Sequence, residues 1–561
     1  MAEKLQQGVD NPVTMLNSGD FRDFSDSEKE KAVSQHTKTT GDLAQRMADS
    51  HENLLSKRKL IIVFLSMTIG LFLAFVDQTG VTVALPYIAD DLHAHQTISW
   101  AGTSSLISTT VFAISFGRFS DIFSRKYTLI ASMVVLAFFD LGCGLSQTPT
   151  QFYICRAFCG IGTGGITSLT TVIVSDIVTL EQRGKYQGIL GAFVGLGNAI
   201  GPFIAAGFIE HSSWRKFYFT LFPIILCATI SVFKIVPYTK PDNTIQEKLK
   251  NIDYFGFLSS SIAIIFLLIP ISGGGSTFEW NSAFTIAMLT IGGTFVFVFL
   301  FVEYRVAKLP MVPLRLFSAN LSLTVLLSQN FFFGMCYFSA IYYYPYYFEV
   351  VKNYSVLHTS CFFLAMVVPQ CLSSVGSGQL ISRTKHYWHV TWFGYCMWML
   401  ALGLLNLWSS TNNYGLNIIT MILNGLGVGC IFQPTSVAAQ AHSYKKDRAT
   451  VISTRNLLRS LGGAISLAIS STIIANTISS QSSISGNKYF SNEEIVQLKK
   501  LVYSKINLTL YTAEQAEYLR ALYMKSIKTI FYVWMGCMGY CLVSNLTIKD
   551  QGLKPVDDRD D

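Results

Sequence analysis

In 183-RGKYQGILGAFVGLGNAIGPFIAAGFIEHSSWRKFYFTLFP-223 the first two thirds are apolar and long enough to cross a bilayer, which takes about 20 residues. The same stretch holds Gly188, Gly191, Gly195, Gly197, Gly201 and Gly207. Glycine is costly inside a soluble helix, but a membrane helix uses it where neighbours pack closely. Gly197 and Gly201 fall on one face, and Pro202 follows at once, removing a backbone donor and bending the span.

The rest of the chain repeats this character. Of 561 residues 50% are hydrophobic and 14% charged, well below the roughly 25% charged of soluble domains. Mean hydropathy is +0.40. Hydropathy gives about fourteen spans, near 60–86, 98–118, 127–146, 151–178, 185–209, 217–237, 253–272, 282–304, 321–349, 356–381, 388–408, 415–440, 449–476 and 526–547. The fold class is therefore an all-α integral membrane protein whose partner is the lipid bilayer. The net charge of +8 lies scattered over short loops, so it signals loop orientation rather than nucleic acid. Arg125, Lys126, Arg183, Lys185, Arg383 and Lys385 mark alternate loops as cytoplasmic and put both termini inside. Residues 1–58 read as a disordered cytoplasmic tail and 548–561 as a short cytoplasmic one. The loop at 477–525 reads as extracytoplasmic. It contains Asn507-Leu508-Thr509, a glycosylation acceptor pattern.

Eleven cysteines fall in or beside the spans without a disulfide framework or metal spacing. No phosphate-binding GxxxxGK[ST] loop, nucleophile elbow or zinc motif is found. ATP-driven pumping and enzymatic catalysis are therefore unsupported, and no cofactor is implied.

Several motifs resemble those of the major facilitator superfamily, in particular its fourteen-span fungal drug:proton antiporters. GLGNAIGPFIAAG, with Gly188 nine residues before Gly197, resembles the antiporter motif, in which Gly188, Gly197, Gly201 and Pro202 match. Asp77, Thr79, Ala84, Leu85 and Pro86 resemble the first-span motif. GRFSDIFSRK resembles the loop after the second span, with Gly117, Asp121, Arg125 and Lys126 matching, and Ser124 standing where the family has glycine. Arg156, four residues before Gly160, resembles the fourth-span motif. Glu303 with PMVPLRLF, and Arg455 with Arg459 in RNLLRSLGGA, continue the likeness into the second half.

The resemblance implies two six-helix bundles, at 59–237 and 321–547, with an inserted helix pair and linkers at 238–320. It implies a secondary active transporter, not an enzyme, that exchanges protons for a small-molecule substrate by alternating access.

A carboxylate in hydrocarbon is expensive unless protonated, paired or wet. Asp77 is thus a proton site or a structural carboxylate, and Arg156 either lowers the pKa of a nearby carboxylate or belongs to a structural ion pair. Asp140 is a departure from the family, expected either in the cavity or wet near the outer surface. Gly117, Asp121 and Arg125 are expected to form a cytoplasmic latch. Aromatic faces bind flat apolar or cationic ligands, so Phe332, Tyr337 and Tyr343, with Gln433, are candidate substrate-lining residues. Export of drugs or other small organic compounds, cationic ones among them, from the cytoplasm at the plasma membrane is the expected function, by a monomer. Proton-driven import of basic amino acids into a vacuole is the alternative.

Overall fold

A computed structural model describes residues 56–553 except 95–96, 99, 238–252, 274–277, 308–309, 409–412, 445–446 and 483–511. Most of the expected N-terminal tail, Asn507 with most of its loop, residues 554–561 and the side chain of Asp121 lie outside the described residues.

Fourteen long helices are present among the described residues. The first six are α1 Lys57–Asp91, α2 Trp100–Phe123, α3 Arg125–Leu145, α4 Pro149–Ile177, α5 Leu180–His211 and α6 Trp214–Ile235. Two follow as α7 Tyr254–Gly273 and α8 Ala283–Phe301. The last six are α9 Leu321–Tyr346, α10 Val356–Thr384, α11 Trp388–Leu405, α12 Tyr414–Phe432, α13 Arg448–Ser482 and α14 Ala513–Ser544. Pro434–Ala441 continues the direction of α12 after a break at Gln433. Thirteen of the helices are long and apolar enough to cross a membrane. The exception, α2, carries Thr103, Ser104, Ser105, Ser108, Thr109 and Thr110 in its first half.

Many hydroxyls inside the bundle are satisfied by their own helix. Thr68 donates to the Phe64 carbonyl and Thr110 to that of Leu106, both at 2.7 Å. Helix starts are fixed by side chains. Thr148 accepts from the Gln151 N–H with Pro149 in the first turn, and Thr512 and Gln515 form a reciprocal capping box. Residues past α14 are packed: the Tyr387 and Trp388 N–H groups both reach Asp550 Oδ2 at 3.0 Å.

Helices α1–α6 form one bundle and α9–α14 the other. The two meet along α5 against α10 and α2 against α13. The inserted pair attaches through α7, which packs on α2 and α13; Phe257 sits edge-on to Phe112 at 5.6 Å. Beyond α8 a π-turn places Glu303 where it accepts the N–H of Met311 at 3.0 Å and of Val312 at 3.3 Å. That contact gives the Glu303/PMVPLRLF motif a backbone role.

Candidate substrate cavity and coupling pair

A cavity of about 1560 Å³, counted with the solvent at its mouth, lies between the bundles. Ile98, Ser272, Glu349 and Val350 are among its lining residues and come from helix ends remote from the basic loops. Its wall is hydroxyl- and aromatic-rich, with Thr79, Thr82, Asn198, Tyr342 and Tyr343 facing in beside Pro202 and Pro345. Both prolines lie inside helices, so α5 and α9 each lose a backbone hydrogen bond at cavity depth. On the floor, Asn198 of α5 donates to the Tyr337 hydroxyl of α9 at 2.7 Å, a link between the two bundles.

A smaller recess shares Thr79, Gly102, Asn198 and Tyr342 with the cavity and is lined by Arg156. Arg156 Nη1 donates to Asp77 Oδ1 at 2.6 Å and to Oδ2 at 2.9 Å. Both side chains are 1% exposed. A buried pair of this kind is held together because either charge alone would be strongly unfavourable.

The basic face is sealed. On α5, Gly184 and Gly188 lie against Ser374 and Gly378 of α10 so closely that a Cβ at Gly188 would stand 2.5 Å from the Ser374 carbonyl oxygen. Ser374 donates to the Gly188 carbonyl at 2.9 Å. Glu181 pairs with Lys385 at 2.5 Å, and Arg183 reaches Gln440 at 3.2 Å. On the other seam Gly117 of α2 faces Ser453 of α13, and Asn456 donates to Ser168 at 3.1 Å. At the opposite face Arg215 pairs with Asp91, which also accepts from Trp214 Nε1 at 3.2 Å. The Arg215 hydrogen bond holds the Asp91 carboxyl below its ordinary range.

The remaining residues singled out in the sequence fall in different places. Asp140 is fully buried in α3, neither wet nor at the cavity; its Oδ1 accepts from Cys159 at 3.3 Å and its Oδ2 has no partner. Gly197 and Gly201 pack on α1, where a Cβ at Gly201 would meet Val76 O at 2.7 Å and Thr79 Oγ1 at 2.5 Å. Arg125 pairs with Asp176 of α4 at 3.0 Å, within one bundle. Tyr343 lines the cavity and Tyr337 forms the floor contact. Phe332 turns outward from α9 onto Tyr540 of α14, ring centroids 4.7 Å apart, so it does not line the cavity. Gln433 points into the seam, where a Cβ at Gly191 would meet it at 2.9 Å. Sequence reasoning missed Asn198, which sits inside the glycine motif itself.

The family model for the Major Facilitator Superfamily matches residues 67–467. The chain belongs to this superfamily. It is 44% identical over 503 residues to citrate exporter 1 of Yarrowia lipolytica, covering 90% of this chain and 74% of that relative. It is 30% identical over 424 residues to the efflux pump dotC of Dothistroma septosporum, covering 76% and 73%. Among solved structures, the human organic anion transporter MFSD10 superposes with a TM-score of 0.57 at 13% identity, covering 87% of this chain and 99% of that one; this is a likeness of fold. The protein is thus a multi-pass membrane transporter handling small molecules.

Proposed function

We propose that this transporter exports a small organic acid across the membrane, from the basic, cytoplasmic face to the opposite one, and couples that movement to protons through Asp77. The observation that carries the reading is the buried Asp77–Arg156 pair beside a cavity that is closed at the basic face and open at the other. A proton entering from the open face neutralises Asp77 and releases Arg156 from its bidentate hold. Reopening toward the basic face returns the proton there and admits the next substrate. The organic-acid class rests on the 44% identity to a citrate exporter. An acid leaving as an anion also moves charge outward, and each charge carried down an inside-negative potential is worth about 2.3 kcal/mol per 100 mV.

A second reading, proton-driven drug export, is favoured by the aromatic and hydroxyl-rich wall and by the efflux-pump relative. The plasma membrane is the expected site and a monomer the expected form; vacuolar loading of basic amino acids is the third candidate. The test is reconstitution in proteoliposomes with imposed pH and potassium-diffusion gradients. Citrate, a basic amino acid, a cationic drug and a neutral toxin are offered in turn. Citrate flux that responds to both gradients is the expected result. Flux of the drug alone, indifferent to citrate, would overturn the organic-acid reading.

A further inference from the structure

Arg455 and Arg459 lie one turn apart on α13, neighbours on a helix surface. They are 2% and 5% exposed. Both guanidinium groups rest against one ring, that of Phe432, at 5.7 and 4.8 Å. The role of Arg455 follows from its contacts. It donates to the Phe432 carbonyl, to Thr435 Oγ1 at 3.4 Å and to Asn456 Oδ1 at 3.4 Å. Phe432 is the last residue of α12, where the helix breaks before Pro434. Arg455 therefore caps a carbonyl end that carries partial negative charge.

Arg459 has no such account. Among the described residues it makes no hydrogen bond or ion pair, its Nε is buried without a partner, and its guanidinium stands over the face of Phe432. No carboxylate among the described residues is paired with it. Among the described residues from α9 to α14, the one buried acid is Asp447, at the basic end, and Arg315 already holds it at 2.8 Å. The first bundle, by contrast, pairs its central arginine with Asp77. Among the described residues the second bundle therefore holds two buried guanidinium groups with no carboxylate partner, one of them capped by a helix end, and the other is strongly unfavourable unless an anion arrives.

The surroundings show how one would arrive. A chain of contacts runs from Asn198 on the cavity floor through Tyr337, stacked on Phe432 at 5.9 Å, to Arg459. Asn456, on the turn between the two arginines, is tied to Ser168 of the first bundle. Opening the basic face must separate α13 from that bundle at this turn. We propose that Arg459, with Arg455 fixed behind it, is an anion site that takes a carboxylate of the transported molecule when the basic face opens. A guanidinium fork matches a carboxylate in two parallel hydrogen bonds. The inference rests on the organic-acid reading above.

The experiment measures citrate binding to the purified full chain in nanodiscs, wild type against R459Q and R459K, with size-exclusion profile and ligand-free melting as checks of folding. The expected weakening for R459Q is about 30-fold, or about 2 kcal/mol at 1.4 kcal/mol per tenfold. R459K, which keeps the charge and loses the fork, is expected to weaken binding about fivefold. A folded R459Q that binds citrate within twofold of wild type overturns the site while leaving the organic-acid reading intact. If R459Q does not assemble, R459K decides: undiminished binding overturns the site and a several-fold loss supports it. A wild type that binds no citrate defeats both, and that failure is recognised before any variant is made.

Discussion

Gly188→Ala places one methyl group where the two bundles meet. The new Cβ would lie 2.5 Å from the Ser374 carbonyl oxygen, 3.1 Å from Gly378 Cα and 3.4 Å from the Ser374 carbonyl carbon. Carbon–oxygen contacts settle near about 3.3 Å or beyond, so α5 and α10 must part by several tenths of an ångström. The obstruction is backbone, which has no rotamer to escape into. The Ser374 hydrogen bond to the Gly188 carbonyl is stretched in the same movement. Overpacking of this kind costs about 1–3 kcal/mol, and it is incurred only while the basic face is sealed. The equilibrium should therefore shift toward the state open at that face by about 5- to 150-fold. Cys371 is a native reporter, since its Sγ lies in the seam and donates to the Ala192 carbonyl at 3.2 Å. Its alkylation by an impermeant maleimide applied to the basic face, followed by peptide mass spectrometry, should accelerate in Gly188→Ala. Gly201→Ala is the control, because its obstruction is Val76, Thr79 and Gly80 of α1 in the same bundle. Labelling of Cys371 in Gly188→Ala at the wild-type rate, or equal acceleration in both variants, would refute the reasoning.

Three further outcomes are expected. Asp77→Asn should abolish pH-gradient-driven flux and, by leaving Arg156 beside a neutral amide, lose up to about 3–5 kcal/mol of stability. Adding Arg156→Gln should recover stability without recovering flux, and unchanged gradient-driven flux in Asp77→Asn would count decisively against coupling at this site. Ser124 holds φ at +86° and its hydroxyl is buried without a partner, so Ser124→Gly should raise stability by about 1 kcal/mol; an unchanged denaturation midpoint in detergent would contradict this. Asn507→Gln should remove a glycosidase-sensitive mobility shift, and labelling of a cysteine at position 507 from the cytoplasm would show the opposite topology.

What the sequence made legible is what depends on local composition. The fourteen helices follow the hydropathy runs, because a bilayer leaves a backbone few alternatives to a helix about 20 residues long. Asp77 and Arg156 each stood out as a charge in an apolar run, yet their pairing across 79 positions is a property of packing and had no local signature. Ser124 was visible as a departure from a family glycine, and its positive φ supplies the physical reason for that glycine. Asp140 was read as a residue of the cavity or of the outer surface, and it is neither. A helix apolar on every side gives no phase from which to read which face is inward. The same loss of phase sends Phe332 to Tyr540 and Tyr343 to the cavity, although both lie on one aromatic helix. Arg459 is the reverse case. Its type and spacing were noted as family likeness, but its lack of a carboxylate partner is visible only when the surrounding helices are in place.

Helix geometry alone divides the glycines of α5 between two faces. At 3.6 residues per turn, nine residues make two and a half turns, so Gly188 and Gly197 must lie on opposite faces of the helix. Gly184, Gly188, Gly191 and Gly195, at steps of four, three and four, share the first face, and each is set against Ser374, Gly378, Cys371 or Gln433 of the second bundle. Gly197 and Gly201 share the other and are set against Phe72, Phe75, Val76 and Thr79 of α1. The helix is pinched from both sides. Its near end must release α10 each time the basic face opens, whereas its far end holds α1, the helix that carries Asp77, in fixed register. A motif that reads as one packing surface is thus two, a moving seam and a static clamp. The static one adjoins the proposed proton site: Thr79 donates to the Phe75 carbonyl at 2.8 Å and approaches that of Gly197 at 3.4 Å. Bulk added at Gly197 or Gly201 should therefore perturb proton coupling, and bulk added at Gly184 or Gly188 the equilibrium between open states.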